Sequence, residues 1–247
     1  MEEIATILPM HQRSLTLDWL RTIAIVLMVI YHLLYDLRDV GFAVDLHHPV
    51  LWLIARTSLI LFLGVSGATF ALRASRGWKN SAEKTQWTLG RLLMIGSSAL
   101  LVTVATYLMD PVTYVRFGVL HLLAVSTLVL ALLASLHWRW HAIIGCALLA
   151  SALVLPQSIE TSWFLPLGFI PFGFSTLDYV PLLPWLGVVL LGFACFSLVP
   201  RWIWNERTLT NTEHILTWPG RNALLVYLGH QPLLVGVLYV MDWMMHF

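Results

Sequence analysis

The segment "LDWLRTIAIVLMVIYHLLYDL", residues 17–37, is apolar enough to lie in a lipid bilayer, and yet it contains four ionisable side chains. These are Asp18, Arg21, His32 and Asp36. An unpaired charge at the centre of a bilayer helix costs about 2.5–3.5 kcal/mol even on insertion-based scales. We therefore expect the protein to shield these four groups from lipid.

The four ionisable groups fall along one face of the predicted helix. At about 100° per residue, Arg21 and His32 are within ~20° of the same face. Asp18 and Asp36 lie within ~40° of His32 by the same arithmetic. Such a stripe must face protein or a water-filled cavity. We also expect Asp36, one turn beyond His32, to accept a hydrogen bond from the imidazole and fix its tautomer.

The composition places the chain among membrane proteins. Of its 247 residues, 59% are hydrophobic and 11% are charged, and the mean hydropathy is +0.80. Soluble domains carry about 25% charged residues, so this chain has too few to cover a soluble globule. The absence of a basic stripe with interleaved aromatic residues excludes nucleic acid as an expected partner. The expected partner is the lipid bilayer, and the sequence leaves homo-oligomer formation open.

Seven segments are long enough and apolar enough to cross a bilayer, for which a helix needs about 20 residues. They are residues 15–37, 50–72, 88–109, 117–136, 139–155, 182–199 and 222–244. Residues 156–181 are apolar but interrupted by Pro and Gly, which indicates a loop that folds over the membrane surface or re-enters it. The predicted fold is an all-α integral membrane protein, a bundle of about seven transmembrane helices in one domain over residues 15–247, after an N-terminal segment 1–14.

The distribution of positive charge predicts the orientation of this bundle. With the N-terminus in the cytoplasm, eleven of the 14 Lys and Arg residues fall on the cytoplasmic side, whereas Arg38 and Arg116 fall outside. This bias follows the positive-inside rule and supports an odd number of spans. The remaining residue, Arg56, lies within the second span, where an unpaired Arg is costly. We therefore expect Arg56 to pair with Asp36 or Asp39.

Further polar side chains interrupt the later spans. His121 stands at the outer end of the fourth span, and His230 and Gln231 lie near the middle of the seventh, eight residues after Asn222. Structural roles are alternatives, since His121 could cap a helix and His230 could bond a carbonyl freed by Pro232. Buried His, Asp and Arg also occur in proton-coupled transporters and flippases, which is the alternative function. The paired broken helices of an inverted repeat are not evident in the sequence.

Five segments in order resemble the blocks of the heparan-alpha-glucosaminide N-acetyltransferase catalytic-domain family. They are "LDWLRTIAIVLMVIYHLLYDL", "FLGVSGATFALRASR", "FGVLHLLAVS", "PLLPWLGVVLLG" and "GRNALLVYLGHQPLL", and the resemblance covers nearly all of residues 14–240. The spacing of Arg21 and His32 is also similar to the first-helix signature of the acyltransferase-three family. Both families belong to a broader group of transmembrane acyltransferases.

The resemblance implies a function. Enzymes of this group take an acyl group, typically acetyl from acetyl-CoA, at the cytoplasmic face and transfer it to a glycan or amino sugar on the other side. His32 matches the catalytic His of the family and Arg21 matches its signature Arg. We expect a multi-pass protein of the bacterial cytoplasmic (inner) membrane that needs no metal ion. Because the chain shows no large extramembrane domain, we do not expect heparan itself to be the acceptor.

Acyl transfer needs a base for the proton of the nucleophile and a donor for the oxyanion. His32 is the predicted general base or transient acyl acceptor, with Asp36 orienting it. The candidates for acceptor binding or oxyanion stabilisation are Ser66, His121, Asn222 and His230. Because the coenzyme carries phosphates, Arg21, Arg73 and Arg76 are its predicted contacts. Positive-inside topology alone would also place Arg73 and Arg76 at the cytoplasmic side.

Overall fold

The described residues, 14–154, 162–204 and 210–245 of a computed structural model, form nine α-helices and two short 3-10 helices. Seven α-helices are long: α1 (Leu15–Asp39), α2 (Pro49–Ser75), α3 (Ser81–Met109), α4 (Val119–Leu133), α5 (Trp138–Val154), α6 (Leu182–Leu198) and α9 (Ala223–Met245). Two are short: α7 (Asn211–Leu216) and α8 (Trp218–Arg221). The 3-10 helices are Ser162–Leu167 and Arg201–Trp204. The predicted N-terminal segment 1–14 lies outside the described residues, apart from Ser14.

A long helix occupies each of the seven predicted spans. The largest difference is at α3, which begins at Ser81, seven residues before the predicted start at 88. The side chain of Asn80 accepts a hydrogen bond of 2.8 Å from the backbone N–H of Glu83, which caps a polar first turn that hydropathy does not detect. Helices α1, α2, α3 and α9 are long and apolar enough to cross a membrane, and α4, α5 and α6 are shorter apolar helices. The protein is an all-α membrane protein.

Helices α2 and α6 pack at the centre of the bundle. A Cβ atom on Gly192 would overlap the backbone of Gly64, so the two helices approach as closely as their backbones allow. Small residues permit such contacts between helices in lipid, where van der Waals packing drives association. Side chains of α2, α4 and α6 form the main hydrophobic core, which includes Leu63, Phe70, Leu122, Leu130, Val189 and Leu190.

Helix α1 turns its polar stripe toward protein, as the sequence predicts. Asp18 is 2% exposed and Asp36 is 8% exposed. On the α2 side, the hydroxyl of Ser58 donates to the carbonyl of Ala24 at 2.8 Å. On the α8 side, the backbone N–H of Gly220 donates to the hydroxyl of Thr22. The stripe therefore lies within the helix bundle and not against lipid.

The predicted loop 156–181 is described from residue 162 onward, and its last part runs beside the start of α4. Tyr179 forms an isolated parallel bridge with Phe117. The backbone N–H of Val180 donates to the carbonyl of Phe117 at 3.1 Å, and that of Leu177 donates to the carbonyl of Thr113 at 2.8 Å. These bonds place the intervening Asp178 at the N-terminus of α4.

Candidate active site

Two predicted site residues, His32 and His230, meet where α1 packs against α9. Their ring centroids are 4.8 Å apart and the ring planes are inclined at 77°, an edge-to-face arrangement. His230 is buried and His32 is half-buried. The structure therefore brings together two imidazoles from opposite ends of the chain.

Each of these imidazoles is held by a backbone carbonyl. The Nδ1 atom of His32 lies 2.9 Å from the carbonyl oxygen of Met28, and that of His230 lies 2.6 Å from the carbonyl oxygen of Tyr227. Because a carbonyl only accepts, Nδ1 carries the hydrogen in each neutral ring, and Nε2 carries the basic lone pair. The Nε2 atom of His230 is buried and has no hydrogen-bond partner among the described residues.

Asp36 binds Gln231 and not His32. Both carboxylate oxygens of Asp36 accept from Nε2 of Gln231, at 2.9 and 3.0 Å. The prediction that Asp36 accepts a hydrogen bond from His32 is therefore wrong. Side chains in a helix lean toward its N-terminus, so His32 reaches the carbonyl one turn before it and turns away from residue 36. Asp36 still interacts with His32 through its charge.

Asp178 and Tyr227 join this group, although the sequence analysis did not select them. The carboxylate of Asp178 accepts from the backbone N–H of Val119 at 3.0 Å and from the hydroxyl of Tyr227 at 3.3 Å. A Cβ atom on Gly118 would overlap this carboxylate, so a larger residue there would displace the side chain of Asp178. Burial raises the pKa of Asp178, against the hydrogen bond from Val119 and the charge of His32, which lower it. The sequence offered one signal for Asp178: it is one of two carboxylates in the apolar loop 156–181, the other being Glu160.

We call the residues around the paired imidazoles the histidine cluster: His32, Asp36, Asp178, Tyr227, His230 and Gln231. Both carboxylates of the cluster interact electrostatically with His32. An imidazolium formed at His32 would therefore be stabilised by two negative charges. The cluster is suited to accepting a proton from a neutral nucleophile.

A second polar group surrounds Arg21 on the same face of α1. Its guanidinium forms an ion pair of 2.7 Å with Asp18 and also donates to the hydroxyl of Thr69 on α2. The second carboxylate oxygen of Asp18 is buried without a hydrogen bond to any described residue. The predicted coenzyme contact Arg21 is thus held in place from two helices.

Arg91 of α3 completes this second group. Its guanidinium donates to the hydroxyl of Ser66 at 2.9 Å and to that of Thr127 at 3.3 Å. Its positive charge is close enough to that of Arg21 for the two to repel each other. We call Asp18, Arg21, Ser66, Thr69, Arg91 and Thr127 the arginine cluster. It contains two cations and one carboxylate, an arrangement that favours an anionic ligand.

The two clusters lie at different depths along α1. Arg21 and His32 are eleven residues apart, which corresponds to about 16 Å at 1.5 Å per residue. Helix α1 therefore contributes to two separate polar clusters on one face, one with two arginines near its N-terminus and one with two histidines toward its C-terminus.

The remaining predicted coenzyme residues lie at the end of α2. Arg73 donates to Glu83 at 2.8 Å and to the carbonyl of Gly77 at 2.8 Å, and its guanidinium lies 3.8 Å from the ring centroid of Trp78. Arg76 is the C-cap residue of α2. The charge of Arg73 is therefore compensated by Glu83 in the first turn of α3.

Of the four predicted acceptor residues, His230 lies beside His32. Ser66 belongs to the arginine cluster. The Nδ1 atom of His121 accepts from the backbone N–H of Gly118 at 3.2 Å, so this imidazole caps α4. The side chain of Asn222 donates to the carbonyl of Trp218 at 3.0 Å, at the end of α8. For His121 the structure thus shows the capping contact that the sequence analysis kept as its alternative.

Arg56 does not form the expected ion pair with Asp36 or Asp39. Its guanidinium lies 5.8 Å from the ring centroid of Trp52 and 5.2 Å from that of Trp185. The residue that faces α1 is Ser58, two positions further along α2. Two positions correspond to about 200° of rotation, so Arg56 points to the opposite side of the helix, toward α6. The prediction fails because it ignored this rotation.

The described residues contain no group of three or more His, Cys, Asp or Glu side chains that could hold a metal ion. No curated protein and no solved structure matches the chain. A family model described as heparan-alpha-glucosaminide N-acetyltransferase, catalytic, matches residues 13–232, a range that includes both clusters. The match covers most of the chain. The chain therefore belongs to the heparan-alpha-glucosaminide N-acetyltransferase catalytic family.

Proposed function

We propose that the protein is a membrane acetyltransferase that uses acetyl-CoA at the cytoplasmic face and acetylates an amino or hydroxyl group of a glycan or amino sugar on the other side. The observation that carries this proposal is the alignment, along one face of α1, of the arginine cluster with the histidine cluster. Family membership favours a transferase over the transporter or flippase that buried ionisable groups also allow.

The arginine cluster supports a site for the donor. Acetyl-CoA carries phosphates, and Arg is suited to them because its planar guanidinium can donate two parallel hydrogen bonds to one anion. Arg21 and Arg91 together carry one positive charge more than Asp18 neutralises. Arg73 and Arg76 add positive charge at the same side of the bundle and are proposed to line the approach. Ser66 acts in this proposal by holding Arg91.

The histidine cluster supports the chemical step. As the nucleophile of the acceptor attacks the acyl carbon, its proton passes to Nε2 of His32, and the carbon–sulfur bond of the donor breaks. A positioned imidazole contributes about 10²–10⁴-fold to such a step. Asp36 and Asp178 stabilise the resulting imidazolium. In the alternative route, Nε2 of His32 itself attacks the acyl carbon, CoA leaves as its thiolate, and the acyl group then passes from this acyl-histidine to the acceptor. The Nε2 atom of His230 is available to accept a hydrogen bond from the acceptor.

The distribution of Lys and Arg supports the orientation of this pathway. With the N-terminus in the cytoplasm, the arginine cluster lies in the cytoplasmic half of the bundle, and the histidine cluster lies in the outer half. A multi-pass location in the bacterial inner membrane would then give the donor site access to the cytoplasmic coenzyme pool.

A transfer assay with purified protein tests the proposal. The protein in detergent micelles is incubated with radiolabelled acetyl-CoA and glucosamine, and free CoA and acetylated sugar are quantified. Glucose is the matched acceptor without an amine, so it separates nitrogen from oxygen transfer. We expect CoA release and label in the sugar. A transporter would leave the thioester intact with either sugar, and that result would overturn the proposal.

A further inference from the structure

Arg56 is a cation at membrane depth without a carboxylate partner. It lies seven residues, or about 10 Å, from the N-terminal end of α2. Its side chain is exposed, rests on the rings of Trp52 and Trp185, and has no ion pair with any described residue. Charged side chains within spans face a cavity or an opposite charge, because an unpaired charge in hydrocarbon is costly. The position therefore favours an anionic ligand.

A cavity of about 270 Å³ adjoins this guanidinium. Arg56 and Trp185 form one wall, and the non-helical backbone around Gly168 and the side chain of Tyr179 form another. The backbone N–H groups of Gly168 and Phe169 already donate to carbonyls of the same loop, so Arg56 is the charged donor in this lining. The cavity is large enough for a small charged head group.

An apolar groove of about 580 Å³ lies next to this cavity. The two share Pro184 and Trp185 in their walls, and the groove extends along α2 and α6 as far as Cys195. Gly64 and Gly192, where α2 and α6 touch, lie in its wall and leave it open for lack of side chains. From Trp185 to Cys195 the groove spans about 15 Å of α6.

We propose that this continuous surface binds one phosphate-bearing lipid, with its phosphate on Arg56 and a hydrocarbon chain in the groove. Guanidinium and phosphate are complementary in charge and in hydrogen-bond geometry. The groove adds apolar area that a free phosphate ion would leave unused. The inference depends on the geometry of α2 and α6 and holds whether or not the histidine cluster transfers acetyl groups.

Native mass spectrometry of the purified protein tests this site. The protein is released from detergent with dioleoyl phosphatidic acid, with dioleoylglycerol, which has the same chains and no phosphate, or with inorganic phosphate. We expect bound phosphatidic acid, and about tenfold weaker binding in Arg56→Gln, the loss expected from one charge-assisted contact. Equal binding of dioleoylglycerol or of inorganic phosphate would overturn the proposal, as would undiminished binding by Arg56→Gln.

Arg116→Gln is the matched control. Arg116 also lies over two aromatic rings, with centroids at 4.6 Å for Tyr114 and 5.1 Å for Phe174. Its guanidinium donates to the backbone carbonyls of Ser175 and Val112 and lies outside the groove. We expect this variant to bind phosphatidic acid as the wild type does. An equal loss in both variants would mean that general charge attracts the lipid, and would overturn the assignment.

A second variant tests the groove independently of the charge. Cys195 is exposed at the far end of the groove, so Cys195→Trp should fill that end. We expect weaker binding of dioleoyl phosphatidic acid and unchanged binding of dihexanoyl phosphatidic acid, whose chains are too short to reach it. Unchanged binding of the long-chain lipid would contradict the proposal, even if Arg56→Gln failed to fold.

Discussion

Gln231 of α9 donates from its side-chain Nε2 to both carboxylate oxygens of Asp36 on α1, at 2.9 and 3.0 Å. These contacts join the first and last long helices of the chain. They also bring His230 against His32, because His230 precedes Gln231 and His32 lies one helical turn before Asp36. The contact between Gln231 and Asp36 thus assembles the proposed reaction centre from distant parts of the sequence.

Gln231→Leu should destabilise the fold. Leucine removes the donor and leaves the buried carboxylate of Asp36 unsatisfied, which costs about 1–3 kcal/mol. Thermal unfolding in detergent micelles measures this loss. Gln86→Leu, on the exposed surface of α3, is the control and should leave the melting temperature nearly unchanged. Equal melting temperatures for Gln231→Leu and the wild type would show that the contact contributes nothing.

The helices of this protein could be predicted from hydropathy because each long apolar run becomes a helix in lipid, where backbone groups must bond internally. The periodicity of α1 also predicted that its charges face protein. Contacts between helices were harder to predict from the sequence. The hydrogen bond from Gln231 to Asp36 depends on how α1 and α9 pack. The predicted ion pair of Arg56 failed because it depended on which side of α2 faces α1.

The sequence predicted only part of the candidate site, because the site also depends on contacts between helices. His32 and His230 stood out as histidines at similar depth, and the structure places them in contact. Asp178 and Tyr227 were missed because one lies in a loop and the other is an amphipathic residue common in spans. Arg91 was one of the positive residues around the α2–α3 connector and ranked below Arg73 and Arg76 as a coenzyme contact. Its neighbours Ser66 and Thr127 come from two other helices.

Stability at different pH should reveal the burial of Asp178. Its pKa is raised above the ordinary 3.8 because burial disfavours the charged form. The folded protein thus binds this proton more tightly than the unfolded chain, and the charged form destabilises the fold above the raised pKa. Asp178→Asn removes that penalty, so its melting temperature relative to the wild type should be highest at pH 7 and fall toward pH 4.

Asp110→Asn is a control with the opposite sign. The hydrogen bonds from Thr113 and the backbone of Val112 lower the pKa of Asp110 at the exposed end of α3. The wild type should therefore gain from this carboxylate from pH 7 down to about its ordinary pKa of 3.8, and lose the gain as the pH falls below that value through the lowered pKa. If the melting temperatures of Asp178→Asn and Asp110→Asn, each relative to the wild type, changed in the same direction with pH, the assigned burial of Asp178 would be contradicted.

Arg91→Gln should weaken donor binding. Loss of one charge-assisted contact to a phosphate is expected to raise the KM for acetyl-CoA about tenfold, with kcat little changed. Arg91→Lys should recover part of the loss because it keeps the charge. Arg73→Gln should have a smaller effect, since Glu83 already compensates Arg73. Steady-state kinetics decide, and an unchanged KM in Arg91→Gln would remove Arg91 from the donor site.

The proposed topology places the C-terminus outside the cytoplasm. Seven spans starting from a cytoplasmic N-terminus require this. Alkaline phosphatase fused after Phe247 should be active, because the enzyme needs the oxidising compartment to form its disulfides. The same reporter placed after Trp78, in the α2–α3 connector, should be inactive. An inactive fusion at Phe247 would mean that one of the shorter helices does not cross the membrane.

The most direct test of the central claim is acetyl transfer by His32→Ala. The account predicts a loss of at least about 10²-fold in kcat, the contribution of a positioned base. Acetyl-CoA binding should be retained, because the arginine cluster lies about 16 Å away along α1. His47→Ala, at an exposed histidine, should transfer at the wild-type rate. If folded His32→Ala transferred acetyl groups at a rate near that of the wild type, His32 would not be the catalytic base.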